Sequence, residues 1–282
     1  MERLYHSRVP NHTALRGLNS GTDTHNSTMS QTFSVLSYNI QAGIGTQRAH
    51  HYITRAHNQL MSSKAKRRRL KSIGKFIGGF DVACLQEVDT GGRRAGFSNQ
   101  GDILREASRH AHHVHQENRA VRAISRHGNA ILSRMAFKSV EDLKLPGRIG
   151  GRGALVVELD MDPATVVACV HLSLGVEDQT LQLEYLAEHL NLPRYGRARR
   201  IVCGDLNCAV QSAPIKRFTD LCNIRPLTGM PHKTFPSWTP RLGLDHILSD
   251  DGAIDHDVAV EDSDYSDHRP VSAEFNFTSY QE

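Results

Sequence analysis

The chain has 282 residues, of which 39% are hydrophobic and 23% charged, with a formal net charge of +4. That composition excludes a disordered or membrane-embedded chain, and the length can bury a large core, as one big domain or two small ones. The small positive charge mildly favours an anionic partner and falls far short of marking a dedicated nucleic-acid binder. No run approaches the roughly 18 apolar residues of a membrane span. The start, Met1-Glu2-Arg3-Leu4-Tyr5-His6, lacks the apolar core of a secretory signal, so a cytoplasmic protein is expected.

In chain order, residues 1–30 are polar, rich in Ser, Thr, Asn and His, and without periodicity. They read as a disordered tail ahead of a single domain, 31–282. Phe33 to Ile40 reads as a first strand, followed by an unusually long loop from Gln41 to Ser63. Lys64 to Ile77 is predicted helical, because Leu70, Ile73, Phe76 and Ile77 share one face and Lys/Arg the other. Gly78-Gly79 ends it. Asp81 to Leu85 is a second strand leading to Glu87, and Asp102 to Ala111 a helix. Asn129 to Ser133 reads as a strand, and Gly153 to Leu159 and Val166 to Leu172 as neighbours joined through Asp162-Pro163. Asp178 to Leu190 is a helix, since Leu183, Leu186 and Leu190 recur at helical spacing. Arg200 to Cys203 reads as a buried strand and Ala213 to Leu221 as a short helix, and strands at Leu244 to Leu248 and Val271 to Phe277 close the set. Cys84, Cys169 and Cys203 lie inside apolar runs, and the five cysteines show no paired short spacing, so they read as small buried hydrophobes.

Five polar clusters sit at the ends of these apolar runs. They are Ser37-Tyr38-Asn39, Gln86-Glu87-Val88-Asp89, Gly204-Asp205-Leu206-Asn207, Leu244-Asp245-His246 and Ser266-Asp267-His268. A polar side chain at a strand end costs little, because the backbone there is leaving the sheet. Five such ends, spread from residue 39 to residue 268, point to one shared site, and cutting the chain into two domains would divide it. An α/β domain with two sheets packed face to face and helices outside is therefore expected. The clusters offer hard oxygen ligands for a divalent cation, a carboxylate to activate water, and a histidine able to meet an aspartate. That equipment suits metal-assisted hydrolysis of a phosphate ester.

At these residues the sequence resembles the endonuclease/exonuclease/phosphatase superfamily, which includes pancreatic deoxyribonuclease, apurinic-site endonucleases, neutral sphingomyelinases and inositol-polyphosphate 5-phosphatases. The blocks appear in family order: Ser-Tyr-Asn-Ile at 37–40, Leu-Gln-Glu-Val at 85–88, Gly-Asn-Ala-Ile-Leu-Ser at 128–133, His-Leu-Ser at 171–173, Gly-Asp-Leu-Asn at 204–207, Leu-Asp-His-Ile at 244–247 and Ser-Asp-His-Arg-Pro-Val at 266–271. The stretch Lys233-Thr234-Phe235-Pro236-Ser237-Trp238 looks like the small stand-alone bacterial hydrolases of that group. The resemblance implies a deoxyribonuclease I-like fold, a four-layer sandwich of two mixed sheets flanked by helices. It also implies a Mg²⁺-dependent phosphoric-ester hydrolase, with Mn²⁺ as a substitute, acting on a phosphodiester or phosphomonoester, nucleic acid among the candidates; a monomer is expected.

Glu87 is the best metal ligand, because Mg²⁺ takes one or two carboxylates and keeps several waters. The resemblance adds the neutral oxygen of Asn39 and places Asp267 beside the metal. It makes Asp205 the group that orients or deprotonates the attacking water, and gives Asn207 to a phosphate oxygen. Spacing by two sends Asp205 and Asn207 to the same side if the strand continues; an Asx turn is the alternative. His268 and Asp245 form the expected pair, in which the carboxylate fixes the tautomer and favours the imidazolium. His171 matches a block that in nuclease-like members contacts phosphate and protonates the leaving group. Asn129 either touches phosphate or caps a turn. Arg93 and Arg94 follow Glu87 and are expected to border the cleft and bind substrate phosphates.

Two other patterns compete for attention. His110, His112, His113 and His115 look like a metal cluster, but alternation should split them over different faces. The run Lys64, Lys66, Arg67, Arg68, Arg69 and Lys71 reads as a solvated helix face rather than a nucleic-acid or membrane patch. A non-catalytic binding module on the same fold is the rival functional class, and the intact set of polar clusters argues against it. Met29 stands just before the first strand and is a candidate translation start. Peptides from residues 1–28 in the natural protein, detected by mass spectrometry, would exclude it.

Overall fold

The computed structural model describes residues 29–46, 64–92, 95–96, 98–121, 125–148, 150–229, 232–250 and 255–279. Two mixed sheets pack face to face. The first joins β1 (Met29–Asn39), β2 (Val82–Asp89), β3 (His112–His115), β4 (Arg119–Val121), β5 (Ser125–Ser133), β12 (Asp255–Val260) and β13 (Val271–Ser279) in the order β12-β13-β1-β2-β5-β3, with β4 also on β5. The second joins β6 (Phe137–Lys144), β7 (Gly153–Leu159), β8 (Thr165–His171), β9 (Arg199–Asp205), β10 (Arg225–Pro226) and β11 (Asp245–Ser249) in the order β10-β11-β9-β8-β7-β6. Each sheet has one parallel pair, β1 with β2 and β8 with β9, among antiparallel neighbours.

Among the described residues the α-helices are α1 (Lys64–Ile77), α2 (Gln100–Ser108), α3 (Val176–Leu190) and α4 (Ala213–Cys222). A crossover helix separates each parallel pair, α1 for the first and α3 for the second, as parallel strands require. Residues alternate between faces along each strand. On β7, Leu155, Val157 and Leu159 point into the core between the sheets, while Ala154 and Val156 point to the outer core with α3 and α4. On β1, Phe33 and Val35 enter the inner core, and Leu36, Tyr38 and, just past the strand, Ile40 meet Leu70, Ile73 and Ile77 of α1 and Leu104 of α2. The layers thus run helix, sheet, sheet, helix. Burial on both faces explains why these strands read as unbroken apolar runs.

Cys84, Cys169 and Cys203 fill the inner core as free thiols. The histidine group is divided. His110 is buried between the Ser108 hydroxyl at 2.8 Å and the Phe80 carbonyl at 3.0 Å, while His113 faces Asp102 at 3.2 Å. The basic run is solvated at Arg67, Arg68 and Lys71 but not throughout. Lys66 is buried, and Arg69 donates to the Gly43 and Ile44 carbonyls at 2.9 and 2.8 Å, pinning the turn after β1.

Leu186 of α3 is fully buried against the second sheet. Leu186→Ala should cost about 2–5 kcal/mol, read as a lower urea midpoint. Exposed Val140 on β6 should tolerate alanine within about 0.5 kcal/mol.

Candidate active site

The strand directions bring the polar clusters to one edge. Asn39 ends β1, Glu87 lies near the end of β2, and His171 and Asp205 end the parallel β8 and β9. Antiparallel β11 begins at Asp245, directly opposite Asp205, and β13 begins just after His268. Local backbone irregularities aim two of these groups. Leu85 pairs with Ala130 but Val88 with Gly128, so β2 carries one extra residue there. Glu87 sits in that bulge with φ +58, a left-handed conformation rare for a non-glycine residue and concentrated at functional sites. A Cβ on Gly204 would lie 1.9 Å from the Val170 carbonyl oxygen, so only glycine lets β9 close on β8 just before Asp205.

Asp205 is the hub. Its Oδ2 accepts from the Asn39 amide at 3.0 Å and lies 3.5 Å from His171 Nε2 and 3.8 Å from His268 Nε2. Its Oδ1 accepts from the Asn207 backbone N–H at 3.1 Å. His268 Nδ1 meets Asp245 Oδ2 at 2.9 Å, both groups buried. The same Asn39 amide donates to Glu87 at 3.3 Å, and Asn39 Oδ1 accepts from the Gln41 backbone N–H at 3.1 Å. Gln41 Nε2 donates to Asp267 at 2.8 Å. Asn39, Glu87, Asp205, Asp245, Asp267, His171 and His268 therefore belong to one connected group.

For Asn207 and Asn129 the structure settles the local conformation that the sequence left open. β9 stops at Asp205, so the alternation argument does not reach Asn207. That residue takes φ +51 in an Asx turn and donates its amide to the Leu172 carbonyl at 2.9 Å. Asn129 is fully buried, and its amide donates to the Gly153 carbonyl at 2.9 Å and the Cys169 carbonyl at 3.3 Å. It ties β5 of one sheet to β7 and β8 of the other rather than capping a turn. Arg93 and Arg94 lie outside the described residues.

The sequence reading overlooked Arg152, whose Nη1 reaches His171 Nε2 at 2.5 Å. Its setting, Gly150-Gly151-Arg152-Gly153, was the available signal: a cation in a bare, glycine-rich turn entering a strand. Gln41 was also overlooked, and an amide right after the Asn39 block gave no signal of its own. A cleft of about 530 Å³ is lined by Glu87, Asn129, Arg148, Arg152 and His171, with the Gly150-Gly151 turn as one wall.

The electrostatics separate the two histidines. Burial alone would push His268 down, but the Asp245 and Asp205 carboxylates and the Asp245 hydrogen bond outweigh it and hold the imidazole well above its ordinary value. Burial, then the charges of Arg152 and His268, push His171 well below. His171 is thus neutral, with Nε2 accepting from Arg152. Burial, reinforced by the Asp245 charge, pushes Asp205 up to about 7 despite His268 and Asn39. Glu87 is raised by burial and then by the Asp267 carboxylate.

The Glu87 and Asp267 carboxylates offer oxygens that fit a hard divalent cation, whereas Asn39 turns its amide N–H toward Glu87 and keeps its oxygen on the Gln41 N–H, not as the neutral metal oxygen expected of it. A cation would relieve the repulsion between Glu87 and Asp267. Asp205, Asp245 and His268 also place one ligand atom each within 4.8 Å of one another, close enough to hold a metal ion.

The sequence matches the Endonuclease/Exonuclease/phosphatase family over residues 36–268. The chain belongs to that family. Family members are hydrolases of phosphate esters. No curated protein matches the chain. Among solved structures, a family protein from Bacteroides thetaiotaomicron superposes with TM-score 0.68 at 14% identity, covering 91% of this chain and 99% of that one. The mannosyl-6-phosphatase Bt3783 of the same organism gives 0.66 at 14%, covering 87% and 100%. The human Nocturnin catalytic domain with bound sulfate gives 0.66 at 17%, covering 88% and 95%. These likenesses establish the four-layer fold. Among the described residues, no helix is long and apolar enough to cross a membrane.

Asp245 and His268 are 23 positions apart and meet only through the fold. His268→Ala and Asp245→Ala should each lower turnover by about 10² to 10⁴. The double variant should be little worse than His268→Ala alone, because residues acting as a unit are non-additive. A double loss equal to the product of the single losses would separate the two.

Proposed function

We propose that this protein hydrolyses a phosphate ester, with a phosphodiester as the preferred class, by attack of a water held at Asp205. The observation that carries this reading is the placement of Asp205 Oδ2 between a cationic and a neutral imidazole, His268 at 3.8 Å and His171 at 3.5 Å. A carboxylate pushed up to about 7 is matched to taking a proton from water near neutral pH. Asp205 takes that proton at Oδ2. The His268 imidazolium, fixed by Asp245, faces the charge that builds on the phosphoryl oxygens. Arg152 supplies a second cation beside His171 and orients the ester in the cleft. His171 has no proton to give at Nε2 in this arrangement, which favours a positioning part over donation to the leaving group.

Glu87 and Asp267 are proposed to hold Mg²⁺, with Asn39 keeping the metal-side and base-side carboxylates in register. When bound there, the cation polarises a phosphoryl oxygen and stabilises the leaving oxygen. Mn²⁺ suits the same oxygen donors. The substrate is proposed only as a class, because a fold shared with a sugar phosphatase and with Nocturnin does not specify one.

The test is hydrolysis of bis-p-nitrophenyl phosphate by the purified protein. Activity should vanish in EDTA and return with Mg²⁺ or Mn²⁺, and Glu87→Gln should cut turnover and weaken the response to Mg²⁺ with folding preserved. Full activity in EDTA would reject the metal reading, and no hydrolysis with either metal of this ester, of plasmid or abasic DNA, of RNA, or of phosphoinositides and lysophospholipids would favour a binding module.

A further inference from the structure

The pair formed by Asp245 and His268 joins two sheets that share no strand. Asp245 opens β11 of the six-stranded sheet, whereas His268 lies on the loop entering β13 of the seven-stranded sheet. Loops are the more mobile parts of a fold, yet a 2.9 Å hydrogen bond must be maintained here. One short segment touches both sides. Thr234, fully buried, accepts at its hydroxyl from the Leu244 backbone N–H at 3.2 Å and the Asp245 backbone N–H at 3.4 Å. Its carbonyl accepts from the Arg269 backbone N–H at 2.8 Å. Three residues on, the Ser237 backbone N–H donates to the Asp267 carbonyl and its hydroxyl to the Ser266 carbonyl, each at 2.7 Å. Arg269 Nε returns a bond to the Ser237 carbonyl at 2.8 Å.

Between these anchors, Phe235 lays its ring against the His268 imidazole, with centroids 4.8 Å apart and planes at 48°. Phe235 is itself held by an antiparallel bridge to Leu242, with N–H to carbonyl distances of 3.0 and 2.9 Å in the two directions. The segment therefore grips the strand of Asp245, the backbone on both sides of His268, and one face of the imidazole.

We propose that the strap Thr234–Ser237 is the positioning element of the Asp245–His268 pair, with Thr234 setting the carboxylate, Ser237 setting the loop and Phe235 setting the ring. These residues do not reach the reacting atoms; they act through His268. The physical gain is pre-organisation, since a group held within a fraction of an ångström needs no reordering when it works. The inference builds on the reading of His268 and Asp245 as a working pair, and a readout other than activity keeps the two separable.

That readout is the proton resonance of the His268 Nδ1–H donated to Asp245, followed by NMR in the full chain. It should be sharp and downfield in the wild type, retained in Thr234→Ser, and broadened or lost in Thr234→Val and Ser237→Ala. Turnover should fall roughly 3- to 10-fold in the latter two, with KM unchanged, as for loss of one hydrogen bond. In an Asp245→Asn background, Thr234→Val should cost nothing further. If Thr234→Val does not fold, Ser237→Ala and Phe235→Leu decide. An undetectable resonance in the wild type, a resonance unaltered by these changes, or equal Thr234→Val losses in both backgrounds would overturn the strap. A resonance that responds as expected in a protein without hydrolase activity would leave the strap standing and remove the catalytic reading alone.

Discussion

The site depends on keeping one buried carboxylate in the interior. Asp205 is 2% exposed, and an uncompensated ion there would cost several kcal/mol. The compensation comes from separate parts of the chain: the Asn39 amide from the opposite sheet, the Asn207 N–H from the following turn, and the charge of His268 from the loop before β13. Because those donors belong to different layers, the carboxylate can be tolerated only when both sheets are assembled. The same Asn39 amide also reaches Glu87. One neutral side chain thus spaces two acids that would otherwise repel each other, and it does so across the seam between the sheets.

The topology explains why that seam lies at the strand ends. Both faces of the central strands are packed, the inner faces against each other and the outer faces against helices. Polar chemistry can leave this structure only where the backbone leaves the sheet. The parallel pairs β1–β2 and β8–β9 place four carboxyl-terminal strand ends at this edge, and their antiparallel neighbours return starts beside them. The few polar side chains deeper in are ties between layers. Asn129 bridges the sheets, and the Gln86 amide reaches the Ser37 hydroxyl and the Cys169 sulfur at 3.4 and 3.3 Å.

Most of this was legible in the sequence for a simple reason: long apolar runs ending in polar clusters have few ways to pack. The helix over Lys64–Ile77 follows from its apolar spacing, and the gathering of Glu87, Asp205, Asp245 and His268 follows from their positions at run ends. What was not legible falls into recognisable kinds. The strands β3, β6 and β12 are half-exposed or polar, so apolar content did not mark them; β6 alternates FKSVEDLK at an edge. The course of the chain after Asp205 depended on whether a strand or an Asx turn would prevail, and Asn207 in a left-handed conformation takes the turn. Arg152 is assigned by its contact with His171 on the neighbouring strand; its glycine-rich setting marks a turn but does not say which side chain the cation meets. Lys66 and Arg69 were hidden by their neighbours, since one basic run contains both solvated side chains and side chains that turn back on the protein.

The two histidines show how little the residue type alone specifies. His171 and His268 are both buried and both lie within 4 Å of the same carboxylate oxygen. Burial pushes both toward the neutral form, so their difference must come from the second partner. His268 has the Asp245 carboxylate on its far nitrogen, and the combined negative charge overcomes burial. His171 has the Arg152 guanidinium at the nitrogen that faces Asp205, and a neighbouring cation adds to burial. Reversing either partner's charge would remove the asymmetry while leaving both imidazoles in place. The asymmetry also gives Asp205 a direction on the proposed reading. Toward His268 lies a cation that stabilises negative charge, and toward His171 lies a filled acceptor that cannot take a proton without displacing Arg152.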